Sequence, residues 1–156
     1  MQKLVLFVIG FALFVGVVAP RDEEPAAAST PQRTGKGGET RIDRSEDGHF
    51  YVEATVNDQP VKFMVDTGAT PVALTIEDAA RIGVEFQPGS FSVIGSGASG
   101  PVRGERVVLD SVDIDGKAAS DVRGSVIEGL DISLLGQAYL SELEKVEISG
   151  DEMVLR

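Results

Sequence analysis

Cysteine and tryptophan are absent from the 156-residue chain, and histidine occurs once, at His49. Without cysteine there is no disulfide, no thiolate-held zinc, no iron–sulfur cluster and no thiol nucleophile. A single histidine argues against a self-contained multi-histidine metal site and against a serine–histidine–aspartate hydrolase. Bases are scarce too: 14 Lys and Arg stand against 25 Asp and Glu, for a formal net charge of −11. A nucleic-acid binder carries the opposite signature, a basic face. Carboxylate chemistry, or no chemistry, is what remains.

The hydrophobic content is unevenly spread. Leu4 to Ala19 holds no charge. As a helix it would be roughly 24 Å long, a little under the bilayer's hydrocarbon thickness. Lys3 precedes it and Pro20-Arg21-Asp22-Glu23-Glu24 follows, which points the start to the cytoplasm and the rest outward. A cleaved signal peptide is the competing reading, with Val17 and Ala19 as the small-residue site. Pro20 directly after the cut favours the retained anchor. The expectation is a bacterial inner-membrane, single-pass protein facing the periplasm, or a periplasmic or secreted one if residues 1–19 are removed. Residues 1–20 are thus an anchor or signal segment. Residues 21–40, rich in Pro, Gly, Ala and charge, read as a flexible linker. Residues 41–156 are the folded domain. Residues 1–39 carry as many bases (Lys3, Arg21, Arg33, Lys36) as acids (Asp22, Glu23, Glu24, Glu39). The whole net charge therefore belongs to the rest.

Within the domain the apolar period is mostly two. Phe50, Val52, Ala54 and Val56 alternate, Asn57-Asp58-Gln59 reads as a turn, and Pro60 to Val65 returns. Thr75 to Gly83 departs from this: a capping threonine, an acid three residues on and a terminal glycine predict one short helix. Further strands are predicted over 90–94, 102–109, 112–115 and 117–127, with Asp115-Gly116 as a hairpin turn. A helical turn is predicted over 139–143. A last hairpin runs over 145–149 and 152–155, around Gly150-Asp151. The fold class expected is mainly β, a small barrel or sandwich with one or two short helices.

The informative stretch is Phe63-Met64-Val65-Asp66-Thr67-Gly68-Ala69-Thr70. An apolar strand here ends on a carboxylate. Gly68 leaves room for the chain to turn and for its amide to face that carboxylate. Thr67 offers a hydroxyl that can hold a neighbouring loop. A plain turn-capping aspartate is the bland alternative. Two later segments weigh against it: the glycine-rich Val93-Ile94-Gly95-Ser96-Gly97-Ala98-Ser99-Gly100, and Leu134-Leu135-Gly136-Gln137 at the end of another strand.

The order of these three segments resembles that of retropepsin-like (clan AA) aspartic proteases, in particular the bacterial single-pass membrane members. The resemblance covers roughly residues 48–156. It implies a closed β barrel with one catalytic aspartate per chain, Asp66, and a homodimer whose active site lies on the two-fold axis. Two carboxylates so placed share one proton, so that one acts as base and the other as acid toward a single water. Thr67, Gly68 and Ala69 would support the active-site loop, with Thr67 bonding across the axis. Ile94, Gly95, Ser96, Gly97, Ala98, Ser99 and Gly100 would form a flap over an extended peptide. Leu134, Leu135 and Gly136 would pack beneath the catalytic loop. The activity implied is peptide-bond hydrolysis by an aspartic endopeptidase, with a peptide or protein substrate, no metal and no cofactor. A catalytically silent dimer that binds a peptide or partner in the same groove is the rival reading.

Two other patterns carry less. Gly95 to Gly100 spells a literal G-x-G-x-x-G. Pro101 and a strand-like run follow it, where a dinucleotide site needs a helix. Ser111 to Gly116 looks like part of a calcium loop but lacks the acids at its first and twelfth positions. His49, Glu142, Glu144 and Glu147 read as solvated surface.

Overall fold

The computed structural model of the chain describes residues 32–34, 38–97 and 100–156. The segment read as an anchor or signal lies outside the described residues, as do 21–31 and 35–37 of the segment read as linker and Ala98 and Ser99 of the segment read as a flap. No helix among the described residues is long and apolar enough to cross a membrane.

Alternating side chains make most of the strands. Strand β1 is Gln32–Thr34 and β2 is Thr40–Asp43. Next come β3 (Tyr51–Val56) and β4 (Gln59–Val65), joined through Asn57 and Asp58, both at positive φ. In β3, Val52, Ala54 and Val56 are buried while Glu53 and Thr55 face out, the period-two pattern of a half-buried sheet. Strand β5 (Val72–Leu74) is buried at every position. Helix α1 (Ile76–Arg81) follows, started by the Thr75 hydroxyl, which accepts from the Asp78 amide, and followed by Gly83 at φ +74°. A 3-10 turn over Pro88–Ser90 leads into β6 (Ser92–Gly97), then β7 (Gly100–Ile114) and β8 (Lys117–Ile127). Strand β9 (Ser133–Leu135), helix α2 (Gln137–Leu140), β10 (Val146–Ser149) and β11 (Glu152–Leu155) complete the order.

Six strands close into a barrel in the order β3-β4-β9-β5-β8-β7, with β7 returning to β3 through Thr55↔Asp113 and Val56↔Val112. Strand β6 hangs outside this ring, paired only to β7. Two pairings are parallel, β4 with β9 and β5 with β8. Phe63, Leu74, Leu109, Ile114, Leu135 and Tyr139 are among the fully buried side chains. Each large apolar side chain so buried contributes about 1.5–3 kcal/mol. The Tyr139 hydroxyl donates to the Lys117 carbonyl at 2.6 Å, so its polar end is satisfied inside the core. Burial, with the Asp113 charge adding to it, pushes that phenol well above its ordinary value.

A second sheet has the order β1-β2-β11-β10. It is laced by exposed ion pairs: Arg41 with Glu39 and Glu152, and Arg156 with Glu39 and Glu147. Glu147, read from sequence as solvated, is exposed; it also accepts from Lys145 at 2.6 Å and from Arg156, and both hold its carboxyl below the usual range. Buried Thr40 joins the two sheets. Its hydroxyl donates to Asp115 at 2.6 Å and accepts from Lys117 at 2.8 Å, at the β7–β8 turn.

Several boundaries differ from the sequence expectation. Residues 32–34 pair with β2, so part of the segment read as linker is sheet; polar three-residue strands show no period of their own. The strands expected over 102–109 and 112–115 are one strand, β7, whose pairing with β8 skips Asp110 and Asp121. The register is the same on both sides of this gap, Asp121 has φ 52°, and the buried positions change parity across it, from Leu109 to Val112. The second helix begins at Gln137 rather than Tyr139, because backbone capping by Gly136 sets its start.

Candidate active site

Strand β4 delivers Asp66 to the mouth of an open groove of about 940 Å3. The backbone of the aspartate loop is tied down from beneath. The Asp66 amide donates to the Leu135 carbonyl at 3.1 Å, and the Ala69 amide closes the turn on the Asp66 carbonyl at 3.2 Å. The Gly68 amide donates to Asp66 Oδ1 at 2.9 Å, fixing the carboxylate's direction. The amides of Gln137 and Ala138, at the start of α2, donate to the carbonyls of Ala69 and Thr70, each at 2.8 Å. Gly136 sits where these segments touch: a Cβ there would lie 2.1 Å from the Pro71 carbonyl oxygen and 2.8 Å from that of Ala69. No other residue fits without moving the loop.

Thr67 and Gly68 are exposed, Asp66 and Ala69 partly covered. The Thr67 hydroxyl has no hydrogen-bond partner among the described residues. Its carbonyl does have one, the Gln137 side-chain amide at 2.8 Å.

The other wall of the groove is the β6–β7 hairpin. Ile94, Gly95, Ser96 and Gly97 line the groove, while Gly100 pairs with Gly97 at the hairpin's end. Val93 pairs with Arg103 but Gly95 with Val102, so Ile94 is an extra residue that bulges. Its carbonyl accepts from Arg106 Nη2 at 2.7 Å. Leu134 lines the groove floor; Leu135 and Gly136 are buried behind it.

A family model described as "Aspartyl protease" matches residues 52–139. The chain belongs to that family. The fold places it more finely, with the retropepsin-like proteases. It is 40% identical to a retropepsin-like aspartic protease from Rickettsia conorii, known from a crystal structure. That likeness covers 76% of this chain and 89% of that one, with a TM-score of 0.63. It shares the fold of an EIAV protease solved with the inhibitor HBY-793, at 18% identity over 65% of this chain and 93% of that one, with a TM-score of 0.52. Two curated bacterial proteins also match over 76% of this chain. One is from Rickettsia prowazekii (strain Madrid E), 40% identical; the other is encoded in the cobV 5′ region of a Sinorhizobium species, 35% identical. The chain spans about half the length of these two.

For this aspartyl protease family member, the structure adds residues to which the sequence assigns no role. Gln137 follows the Leu-Leu-Gly segment directly, and its contact with Thr67 spans 70 positions, which no local pattern signals. Asp78 accepts from the Ser133 hydroxyl at 2.6 Å and from Arg81 at 2.6 Å. Ser133 in turn accepts from the Thr75 amide. Partial burial raises the Asp78 carboxyl, and these donors outweigh it, leaving it below the usual range. Together they brace α1 against β9, the strand that carries Leu134 and Leu135. Arg106 and Arg123 also line the groove. The signal for them is parity: Arg106 and Val108 are spaced by two, as are Arg123 and Ser125.

Proposed function

We propose that the chain is an aspartic endopeptidase that works as a homodimer, with two Asp66 carboxylates acting on one water. The observation that carries this is an incomplete site. Among the described residues Asp66 is the only carboxylate lining the groove, and beside it the exposed Thr67 hydroxyl has no partner. Hydrolysis by carboxylates needs one group to accept a proton and another to donate one. A second copy related by a two-fold axis would supply both the missing acid and the Thr67 partner.

In that arrangement the ionised Asp66 takes a proton from water as its oxygen attacks the scissile carbonyl carbon. The protonated Asp66 of the partner gives its proton to the carbonyl oxygen. Collapse of the tetrahedral diol breaks the C–N bond, and a proton passes to the departing amine. The braced backbone under Asp66 keeps the carboxylate in place through these steps, so little reorganisation is needed at reaction. The β6–β7 hairpin covers the peptide as a flap, with its backbone pairing to the extended substrate. The apolar run from Leu4 to Ala19 would tether the domain on the outer side of the cytoplasmic membrane, where a shared surface concentrates the two copies.

Asp66→Asn tests the reading. It should abolish pepstatin-sensitive peptide cleavage, a loss of at least about a thousandfold, while leaving the thermal unfolding temperature and the sedimentation coefficient unchanged. Mixing wild type with Asp66→Asn should lower activity faster than the wild-type fraction falls, since mixed dimers are dead. Cleavage retained by the pure mutant would overturn the assignment. Fractionation and the mass of the mature amino terminus test the tether.

A further inference from the structure

The acid-rich domain pairs most of its arginines. Arg41, Arg44, Arg81, Arg103 and Arg156 each hold a carboxylate. Arg106 and Arg123 hold none among the described residues, and both line the groove. The β7–β8 register sets Arg106 opposite Ser125 and Val108 opposite Arg123. The two arginines are therefore diagonal neighbours on one face of the hairpin, a spacing of about 7–8 Å between backbone positions and within reach of long side chains. Arg106 spends one donor on the Ile94 carbonyl, which seats its guanidinium against the flap strand. A guanidinium has five N–H donors, so both residues keep most of theirs free. Asp110 and Asp121, at the gap in the β7–β8 pairing beyond them, are not in ion-pair contact with either.

Both side chains are exposed and share one face, with no carboxylate between them among the described residues. Two like charges side by side repel, and the rest of the groove lining is mostly apolar apart from Asp66. A carboxylate between them would remove the repulsion and take bidentate hydrogen bonds. We propose that Arg106 and Arg123 form a subsite for an acidic side chain, so that the groove selects extended peptides carrying Glu or Asp near the scissile bond. The proposal rests on the peptidase reading for the groove's use, but it concerns recognition rather than turnover. It also runs against the domain's overall charge. A net charge of −11 repels acidic peptides at long range, so a local pair of arginines is what would let one dock.

The test uses the full chain and acetylated, amidated ten-residue peptides of apolar background, each with one Glu, Gln or Lys moved through every position. Binding is read by fluorescence anisotropy on Asp66→Asn, and cleavage by mass spectrometry on wild type. At one position, Glu should bind and be cut about tenfold better than Gln, with Lys worst, and the margin should shrink in high salt. Arg123→Gln should reduce the Glu-over-Gln ratio toward one, and Arg123→Glu should reverse the order so that Lys is preferred. Arg106→Gln should act in the same direction. Cleavage or binding with no Glu preference at any position overturns the subsite and leaves the peptidase standing. A Glu preference in binding without cleavage by wild type overturns the peptidase and leaves the subsite. No binding and no cleavage of any peptide overturns both.

Discussion

The two walls of the groove are built in opposite ways. The Asp66 wall is pinned by a backbone hydrogen bond to the Leu135 carbonyl, by those from the Gln137 and Ala138 amides, by the Gln137 side chain and by a close approach at Gly136. The β6–β7 wall is a hairpin whose outer strand pairs with β7 alone and is exposed along nearly its whole length. Val93 on it is 61% exposed. One wall is held by many contacts and the other by few; on the proposed reading the first fixes the reacting carboxylate and the second closes over substrate. Rigid support costs nothing at the moment of reaction, whereas a cover has to open for substrate to enter.

Substitutions on the two walls should separate them by size of effect. The largest is Gly136→Ala, which forces a methyl against the Pro71 and Ala69 carbonyls. It should destabilise the domain by about 3 kcal/mol or more, read as a fall in the denaturant midpoint, with cleavage lost alongside. A Gly136→Ala protein as stable as wild type would mean that the loop yields and the wall is not pinned.

Asp78→Asn comes next, at about 1–2 kcal/mol near neutral pH, for the loss of charge on hydrogen bonds to Ser133 and Arg81. The sign with pH follows from its lowered folded value against an ordinary 3.8. The contribution is fully present above about pH 3.8 and disappears as pH falls through the lower folded value. Wild type and mutant should therefore differ at pH 7 and at pH 5, and converge in strong acid, in urea titrations at each pH. The brace survives the mildly acidic conditions in which carboxylate peptidases operate.

The smallest stability effect belongs to Gly95→Ala on the flap wall. A Cβ there meets nothing within 4 Å, so the midpoint should move by less than about 0.5 kcal/mol. Peptide cleavage should still fall, because the added methyl enters the space between flap and substrate. Equal loss of stability and activity would show that the two walls are not distinct.

What the sequence makes legible follows the same division. Asp66 is readable because a strand ends on it and a glycine follows, both local facts. The barrel's alternating strands β3 and β4 are readable for the same reason, as is α1 from Thr75 and Gly83. Strand β5 is not, since Val72, Ala73 and Leu74 are all buried and three residues show no period. Gln137, Ser133 and Asp78 escape because each acts through a partner at least 55 positions away. The arginines of the groove escape because charge in a strand looks like solvent exposure until the register shows which face they share.

The parallel pairing of β4 with β9 also has a consequence in time. Thr67 meets Gln137 only after 70 further residues exist. At ribosomal speeds of about 5–20 residues per second, that is a delay of roughly 3–14 s between making the aspartate loop and making what holds it. Throughout that interval the growing chain carries Asp66 without the floor beneath it. A nascent chain therefore holds its aspartate loop unbraced until β9 and the start of α2 have been made.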